Sequence, residues 1–157
     1  MRCSMLGIRI ICVGKLKEKF YTDAANEYIK RLAGYCKLEV IEIPEQRLPA
    51  AIALDKERAI IEAEIPAGAA AIAMCLDGTE VDSQGLSALL MDCAGRGKSR
   101  LCFIIGGSNG LHDEIKRRSD LRLSMSMMTF PHNLARVVLL EQLYRAFTIA
   151  EGGKYHK

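Results

Sequence analysis

The sequence lacks tryptophan, contains only four prolines, and has no apolar run long enough to cross a membrane. Its longest such run, residues 65–76, has 12 residues, whereas a membrane-spanning helix needs about 20. The first 13 residues include Arg9 and carry no small-residue cleavage pattern, which argues against a signal peptide. We therefore expect neither a membrane anchor nor a membrane partner.

The sequence also has little excess of charge of either sign, because 22 Lys and Arg residues are nearly balanced by 19 Asp and Glu residues. The resulting net charge of +3 permits contact with nucleic acid but is too small to argue for it. Half of the residues are hydrophobic and few are Gly or Pro, which excludes disordered and fibrous classes. A chain of 157 residues matches one domain, which we predict to span residues 1–157.

The six cysteines form no CxxC pair, so the sequence has no clustered ligands of the kind that bind zinc. Cys12, Cys75 and Cys102 lie within apolar stretches, where a free thiol behaves as a small hydrophobic group. A disulfide framework would require a secreted chain. We therefore predict structural thiols, no metal site and a cytoplasmic location, with a cysteine-based redox protein as a less favoured alternative.

Short β-like runs alternate with helical patterns along the chain. This alternation predicts an α/β fold with a mainly parallel sheet and helices on both faces. One helix, residues 17–33, repeats apolar side chains every four residues as a broad stripe that includes Phe20. The predicted strands are residues 7–13, 38–43, 69–76, 101–105 and 121–127, and the other helices are residues 50–64, 82–94 and a last one that begins near His132.

The last helix is apolar around almost its whole circumference, and Gly152 and Gly153 end it. A helix of this kind must be covered on all sides, and a short chain has little protein left to cover its final element. The pattern therefore predicts a homodimer. Its charges fall on two faces: His132 and Arg136 lie one turn apart, and Glu141 and Arg145 form an i,i+4 pair opposite them.

Three strand ends carry residues suited to a ligand site. Ligands of open α/β sheets bind beyond the carboxyl ends of the strands. Leu76 ends the third predicted strand and Asp77 follows it. Residues 106–110, with three glycines, follow the fourth strand, and residues 124–132 lead from the fifth into the last helix. The glycine run is neither a Walker loop nor a GxGxxG motif. Backbone donors and apolar walls together favour an adenosine-like ligand over a polyphosphate.

Several segments resemble one known family in order and spacing. They are Phe103-Ile-Ile-Gly-Gly-Ser-Asn-Gly-Leu111, Leu123-Ser-Met-Ser-Met-Met-Thr-Phe-Pro-His132, residues 135–146 and the tail Tyr155-His156-Lys157. The sequence is similar to the ribosomal RNA large-subunit methyltransferase H family, which belongs to the SPOUT class of knotted methyltransferases. The resemblance covers nearly the whole chain and is most specific in its last third.

The resemblance implies a fold, a cofactor and a substrate. The fold would contain a C-terminal trefoil knot, a rare topology that no sequence pattern predicts, and the protein would be a homodimer. The methyl donor would be S-adenosyl-L-methionine. The acceptor would be N3 of a pseudouridine, position 1915 in helix 69 of 23S ribosomal RNA, methylated on the assembled ribosome.

The resemblance also implies the site residues. The catalytic residues would be His156, Tyr155, His132 and Arg136, and His156 is the favoured general base. The cofactor pocket would consist of residues from the three strand ends already selected. They are Leu76, Gly106, Met125, Ser126, Met127, Met128, Thr129 and Phe130.

The sequence departs from the family pattern in the loop after Asp77, which is two residues shorter, and at Lys154, where proline is usual. Residues 1–6 look like an N-terminal extension, with Met5 as an alternative start. A non-enzymatic nucleotide-binding α/β module remains an alternative function. Three basic clusters are candidate RNA contacts: Lys15, Lys17 and Lys19; Arg96, Lys98 and Arg100; and residues 116–118.

Overall fold

A five-stranded parallel sheet forms the centre of the fold in the computed structural model, which describes residues 5–157. Its strands lie in the order β2-β1-β4-β3-β5, and every neighbouring pair is parallel. This arrangement confirms the predicted parallel sheet. The strands are Gly7–Val13 (β1), Lys37–Ile43 (β2), Ala70–Glu80 (β3), Arg100–Ile105 (β4) and Leu121–Ser124 (β5).

Helices cover both faces of the sheet, as predicted. They are Lys19–Leu32 (α1), Ala50–Glu64 (α2), Ser83–Gly95 (α3), Asp113–Arg118 (α4) and His132–Ala150 (α5). Buried side chains of α1, α3 and α5 form one apolar core with the sheet, and those of α2 and α4 form a second core on the opposite face. The double cover explains the nearly continuous apolar runs of the central strands.

The central strands β1 and β4 divide their side chains between the two cores. Ile10 lies opposite Phe103, and both belong to the core under α5. The next pair, Ile11 and Ile104, belongs to the other core. This alternation is the two-residue period of a strand, and here both of its faces are buried.

The fifth strand is shorter and the third longer than predicted. The regular alternation of residues 121–127 predicted a strand to residue 127, but β5 ends at Ser124, whose hydroxyl donates to the Ser126 carbonyl at 2.9 Å. Its neighbour β3 bulges, because Leu123 lies opposite both Met74 and Thr79. The bulge contains Gly78, where a Cβ would lie 2.7 Å from the Leu123 backbone.

The short helix α4 was not predicted. It has only six residues, of which Ile115 alone is buried, so it shows no helical period in the sequence. The His112 ring caps it, since Nδ1 accepts a hydrogen bond from the Glu114 amide at 3.0 Å. This cap satisfies a free amide at the start of the helix.

The last helix, α5, packs between α1 and α3 within a single chain. Leu139, Leu140 and Leu143 are buried there, whereas Val137 and Val138 remain half-buried. One chain therefore covers more of α5 than its apolar circumference led us to expect. The homodimer drawn from that circumference stays a prediction.

Most of the predicted N-terminal extension, residues 1–4, lies outside the described residues, as does Cys3. Leu6 is buried in the core, and its carbonyl accepts from the Lys37 amide at 2.9 Å. Among residues 5–157, no helix has the length and apolar character needed to span a membrane.

Candidate active site at the carboxyl edge of the sheet

A cavity of about 720 Å³ opens where β4 and β5 end, beside the bulge of β3. All three segments selected from the sequence contribute to its wall, although Leu76 and Asp77 lie within β3 and not at its end, because the strand continues past the bulge to Glu80. Seven of the eight predicted cofactor residues line it: Leu76, Gly106, Met125, Ser126, Met128, Thr129 and Phe130. The eighth, Met127, does not line this cavity, and its side chain is 87% exposed.

The glycine run forms a tight loop at one side of the cavity. The Gly110 amide donates to the Gly107 carbonyl at 3.0 Å, and Gly110 has a φ of 76°. A Cβ at Gly106 would overlap the Gly110 carbonyl, so no other residue fits there without a shift of the loop. The loop therefore presents bare backbone to the cavity.

The opposite wall comes from the segment between β5 and α5. The Ser126 hydroxyl accepts from the Met128 amide at 3.0 Å, which holds the segment in a turn. Met128 is 74% exposed and Leu76 is also exposed, so the cavity has an apolar rim. Apolar walls beside a backbone loop suit a flat, largely apolar ring with polar edges.

The Glu45 carboxylate fixes the glycine loop from outside the cavity. It accepts from the Ser108 hydroxyl at 2.6 Å and from the Ser108 amide at 3.2 Å. These hydrogen bonds, helped by the nearby His132, hold the pKa of Glu45 below its ordinary value. Buried Glu57 accepts from the Gln46 amide at 3.1 Å and so steadies the segment that carries Glu45.

Glu45 was not predicted from the sequence. The residue is 63 positions from Ser108 and belongs to no motif in the sequence. Only the pairing of β1 with both β2 and β4 brings the two residues together. No signal in a single sequence could have identified this contact.

His132 lies in the wall of the cavity, but Arg136, one turn later, points elsewhere. The Arg136 guanidinium donates to the Glu42 carboxylate at 2.7 Å and to the Gly14 carbonyl at 2.9 Å. Arg136 is buried, with 4% of its surface exposed. In this chain, Arg136 therefore ties α5 to the ends of β1 and β2 instead of facing the cavity.

Tyr155 and His156 lie against the middle of α5. The Tyr155 hydroxyl donates to Glu141 at 3.0 Å, and His156 Nδ1 is 3.2 Å from Arg145 Nη1. The Glu141–Arg145 pair forms as the sequence predicts, at 2.5 Å. Burial, together with hydrogen bonds to Tyr28 and Glu141, raises the pKa of Tyr155. We call Glu141, Arg145, Tyr155 and His156 the tail cluster.

The tail cluster and the cavity are separate within one chain. Arg145 follows His132 by 13 residues, which is about 20 Å along a helix. The four predicted catalytic residues thus occupy three places: His132 at the cavity, Arg136 beside Gly14, and both tail residues in the tail cluster. A single chain does not bring them together.

The described cysteines have the character of structural thiols. Burial raises the pKa of Cys12 and Cys75 to about 11, and that of Cys102 to about 12. A raised thiol pKa disfavours the thiolate that redox chemistry needs. In the part of the chain that the structure describes, no three His, Cys, Asp or Glu residues cluster as a metal site would require.

The fold is an α/β fold with a parallel sheet, and a cavity opens at the carboxyl edge of that sheet. A family model described as "Predicted SPOUT methyltransferase" matches residues 6–156. Because the match spans nearly the whole sequence, the chain belongs to the SPOUT methyltransferase family.

Individual relatives make the family similarity more specific. Ribosomal RNA large subunit methyltransferase H of Clostridioides difficile (strain 630) is 45% identical over 159 residues, which covers 97% of this chain and 100% of that protein. The protein of the same name from Listeria monocytogenes serotype 4b (strain F2365) is 43% identical with the same coverage. These relatives confirm the resemblance to the methyltransferase H family that the sequence motifs indicate.

Solved structures share the fold at low sequence identity. A probable methylase family protein from Haemophilus influenzae Rd KW20 matches with a TM-score of 0.56 and 15% identity, covering 97% of this chain and 71% of that chain. A probable methyltransferase from Bordetella pertussis Tohama I matches with a TM-score of 0.56 and 16% identity, covering 90% and 96%. At these identities the likeness concerns the fold alone.

Proposed function

We propose that this protein is a ribosomal RNA methyltransferase that uses S-adenosyl-L-methionine. One observation carries the proposal: the bulge of β3 and the ends of β4 and β5, which are distant in the sequence of a SPOUT-family chain, line one cavity. Seven of the residues that the family resemblance assigns to the cofactor line that cavity. The names of the relatives, which specify large-subunit ribosomal RNA, support the class of substrate.

The cavity fits the cofactor in size and chemistry. Its volume of about 720 Å³ lies within the usual range for small-molecule sites. Leu76 and Met125 would pack against the adenine ring, and the loop at Gly106 would offer backbone donors and acceptors to its edge. S-adenosyl-L-methionine, when bound, supplies a methyl group already activated on a sulfonium sulfur.

The specific methyl acceptor in this proposal is N3 of pseudouridine 1915 in helix 69 of 23S ribosomal RNA, on the assembled ribosome. The protein must then hold the base in line with the methyl group and accept the N3 proton. Alignment of this kind supplies on the order of 7 kcal/mol or more of the barrier reduction. We assign proton removal to His156, because histidine is the commonest general base and the side-chain neighbour of His156 is the half-buried cation of Arg145 and not a fixed acceptor.

A homodimer would bring the separated parts of the site together. The tail cluster of one subunit would meet the cavity of the other, so that Tyr155 and His156 lie beside the methyl group. The exposed Met127 and half-buried Val137 and Val138 are apolar side chains that a second copy could cover. The proposal includes a C-terminal trefoil knot, which the SPOUT family implies, and a cytoplasmic location, where ribosomes are found.

A methyl-transfer assay tests the proposal. Ribosomes that lack the modification are incubated with the protein and tritiated S-adenosyl-L-methionine, and the labelled nucleoside is identified by chromatography. We expect one labelled N3-methylpseudouridine in 23S RNA. Cofactor binding without methyl transfer would instead favour the non-enzymatic nucleotide-binding module. Label on another base would overturn the assignment of pseudouridine 1915 as the methylated base.

A further inference from the structure

Three lysines and a phenylalanine surround the start of α1. Lys15, Lys17 and Lys19 are all exposed, and the Phe20 side chain is 65% exposed. We call these four residues the basic–aromatic patch. The stripe of apolar residues in the sequence predicts a partly buried Phe20, but the ring lies at the open end of α1 and contacts its neighbour Tyr21.

The exposure of Phe20 stands out against the rest of the molecule. Among the exposed large apolar side chains of residues 5–157, Phe20 is the one aromatic. The centroids of the Phe20 and Tyr21 rings are 4.5 Å apart, so the Phe20 ring packs against the Tyr21 ring. An aromatic ring in water beside several cations is the arrangement with which proteins bind unpaired nucleotides.

The cations of the patch are available to a partner. Within the described part of the chain, Lys19 alone of the three lysines has a carboxylate at salt-bridge distance, that of Asp23 at 2.5 Å. Both side chains of that pair are mostly exposed, and exposed pairs of this kind contribute little. Lys15 and Lys17 can therefore contact phosphate groups without breaking an ion pair.

The patch is anchored next to the candidate active site. The Arg136 guanidinium holds the Gly14 carbonyl, and the Leu16 amide donates to Glu42 at 3.4 Å. A Cβ at Gly14 would lie 3.7 Å from Nε2 of His132, which lines the cavity. The patch thus begins one residue beyond a contact with the cavity wall.

We propose that the basic–aromatic patch is an RNA-docking surface on which Phe20 stacks against an unpaired base while the lysines contact flanking phosphates. This inference rests on the proposed function and specifies how its RNA substrate is held. A second copy of the chain fits the patch less well, because an isologous contact would bring the lysines of both subunits together.

Fluorescence anisotropy with two labelled RNA probes tests the proposal. One probe is a fluorescein-labelled hairpin with an unpaired loop, and the other is a fully paired duplex of equal length. For Phe20→Ala we expect about 10-fold weaker binding of the hairpin and unchanged binding of the duplex. Removing the charge of Lys15 and Lys17 in a Lys15→Ser, Lys17→Ser variant should weaken both probes and lower the salt slope by about 2.

Matched controls come from other exposed positions. Ile52→Ala removes an exposed apolar side chain from α2, and Lys56→Ser removes an exposed cation from the same helix. Both controls should bind the hairpin like the unaltered protein. Calorimetric binding of S-adenosyl-L-methionine by Phe20→Ala should also be unchanged.

Three results would overturn the proposal. They are unaltered hairpin affinity in Phe20→Ala, no hairpin binding by the unaltered protein at low salt, and loss of a dimer in Phe20→Ala by sedimentation. The last result would assign Phe20 to the contact between subunits. Failure of methyl transfer to ribosomes with a normal Phe20 effect on the hairpin would overturn the proposed function and leave the docking surface supported.

Discussion

Arg136 donates a hydrogen bond to the Gly14 carbonyl at 2.9 Å, across 122 positions of the chain. The same guanidinium pairs with Glu42 at 2.7 Å. Because Arg136 is one turn from His132, this contact ties the wall of the cavity to the ends of β1 and β2. It is the link through which the cavity and the basic–aromatic patch keep a fixed relative position.

The first prediction concerns this link. Arg136→Ala leaves Glu42 without its cation and the Gly14 carbonyl without its donor, so we expect the free energy of unfolding to fall by about 3 kcal/mol. Urea denaturation measures this loss. Lys19→Ala, which removes an exposed i,i+4 pair with Asp23, is the control and should unfold like the unaltered protein. An Arg136→Ala variant of full stability that has lost methyl transfer would assign Arg136 to the reaction instead.

The second prediction concerns the glycine loop. In Gly106→Ala the added Cβ meets the Gly110 carbonyl, so the loop must move away from its position in the cavity wall. We expect at least about a 10-fold rise in the dissociation constant for S-adenosyl-L-methionine, which corresponds to about 1.4 kcal/mol. Isothermal titration calorimetry measures it. Gly34→Ala adds the same methyl group in open space and should bind normally. Equal affinities for the two variants would exclude the loop from the cofactor site.

The third prediction concerns the pH dependence of the Glu45–Ser108 contact. Hydrogen bonds from Ser108 lower the pKa of Glu45 in the folded protein, so the carboxylate stabilises the fold above its unfolded pKa, near 4.5. The stabilisation disappears as pH falls from that value through the lower folded pKa. We expect Ser108→Ala to have a lower melting temperature at pH 7 and a smaller difference from the unaltered protein below pH 4.5.

Glu45→Gln supplies the control for this experiment. The amide keeps an oxygen acceptor for Ser108 but cannot ionise between pH 3 and pH 7. Its melting temperature should therefore lack the part of the acid dependence that Glu45 contributes. A constant difference between Ser108→Ala and the unaltered protein over the whole range would show that the Glu45 charge does not stabilise the loop.

The fourth prediction concerns the division of the site between subunits. If the tail cluster of one subunit serves the cavity of the other, inactive His156→Ala and Gly106→Val variants should complement each other when mixed. Random exchange makes half of the dimers mixed, and each mixed dimer has one intact site, so about one quarter of full activity should return. Tritiated-methyl transfer to ribosomes measures the recovery.

Two controls make the complementation informative. Each variant incubated with itself should stay inactive, and mixing under conditions that prevent subunit exchange should restore nothing. Absence of recovery after verified exchange would mean that the cavity and the tail belong to the same subunit. The tail would then have to leave its contacts with Glu141 and Arg145 to reach the cavity.

Regular periodicity predicted most of the fold. Strand β1 and helix α2 have the predicted bounds, because their patterns are long and their neighbours cover them as local rules assume. The predicted strand bounds were wrong for β3 and β5, whose ends depend on how the two strands pair with each other. The end of β5 at Ser124 and the bulge before Thr79 arise from pairing between strands, and a local pattern does not contain that information.

The candidate site was predictable only in part. Backbone loops at strand ends are visible in the sequence as glycines and small hydroxyl residues, which is why the three ends around the cavity could be selected. Contacts such as Glu45 with Ser108 join surface residues from different loops, and such residues follow no period. The separation of Tyr155 from His132 was also unpredictable, because it depends on where the tail returns along α5.

The position of the cavity also constrains when it can form. Its walls need the bulge of β3 and the ends of β4 and β5, and β5 is an edge strand held by the irregular pairing around Leu123. Parallel pairings between distant segments form slowly during folding. A ligand of this cavity can therefore bind only a chain in which β5 has already paired with β3. Its binding stabilises the native state and no folding intermediate that lacks this strand.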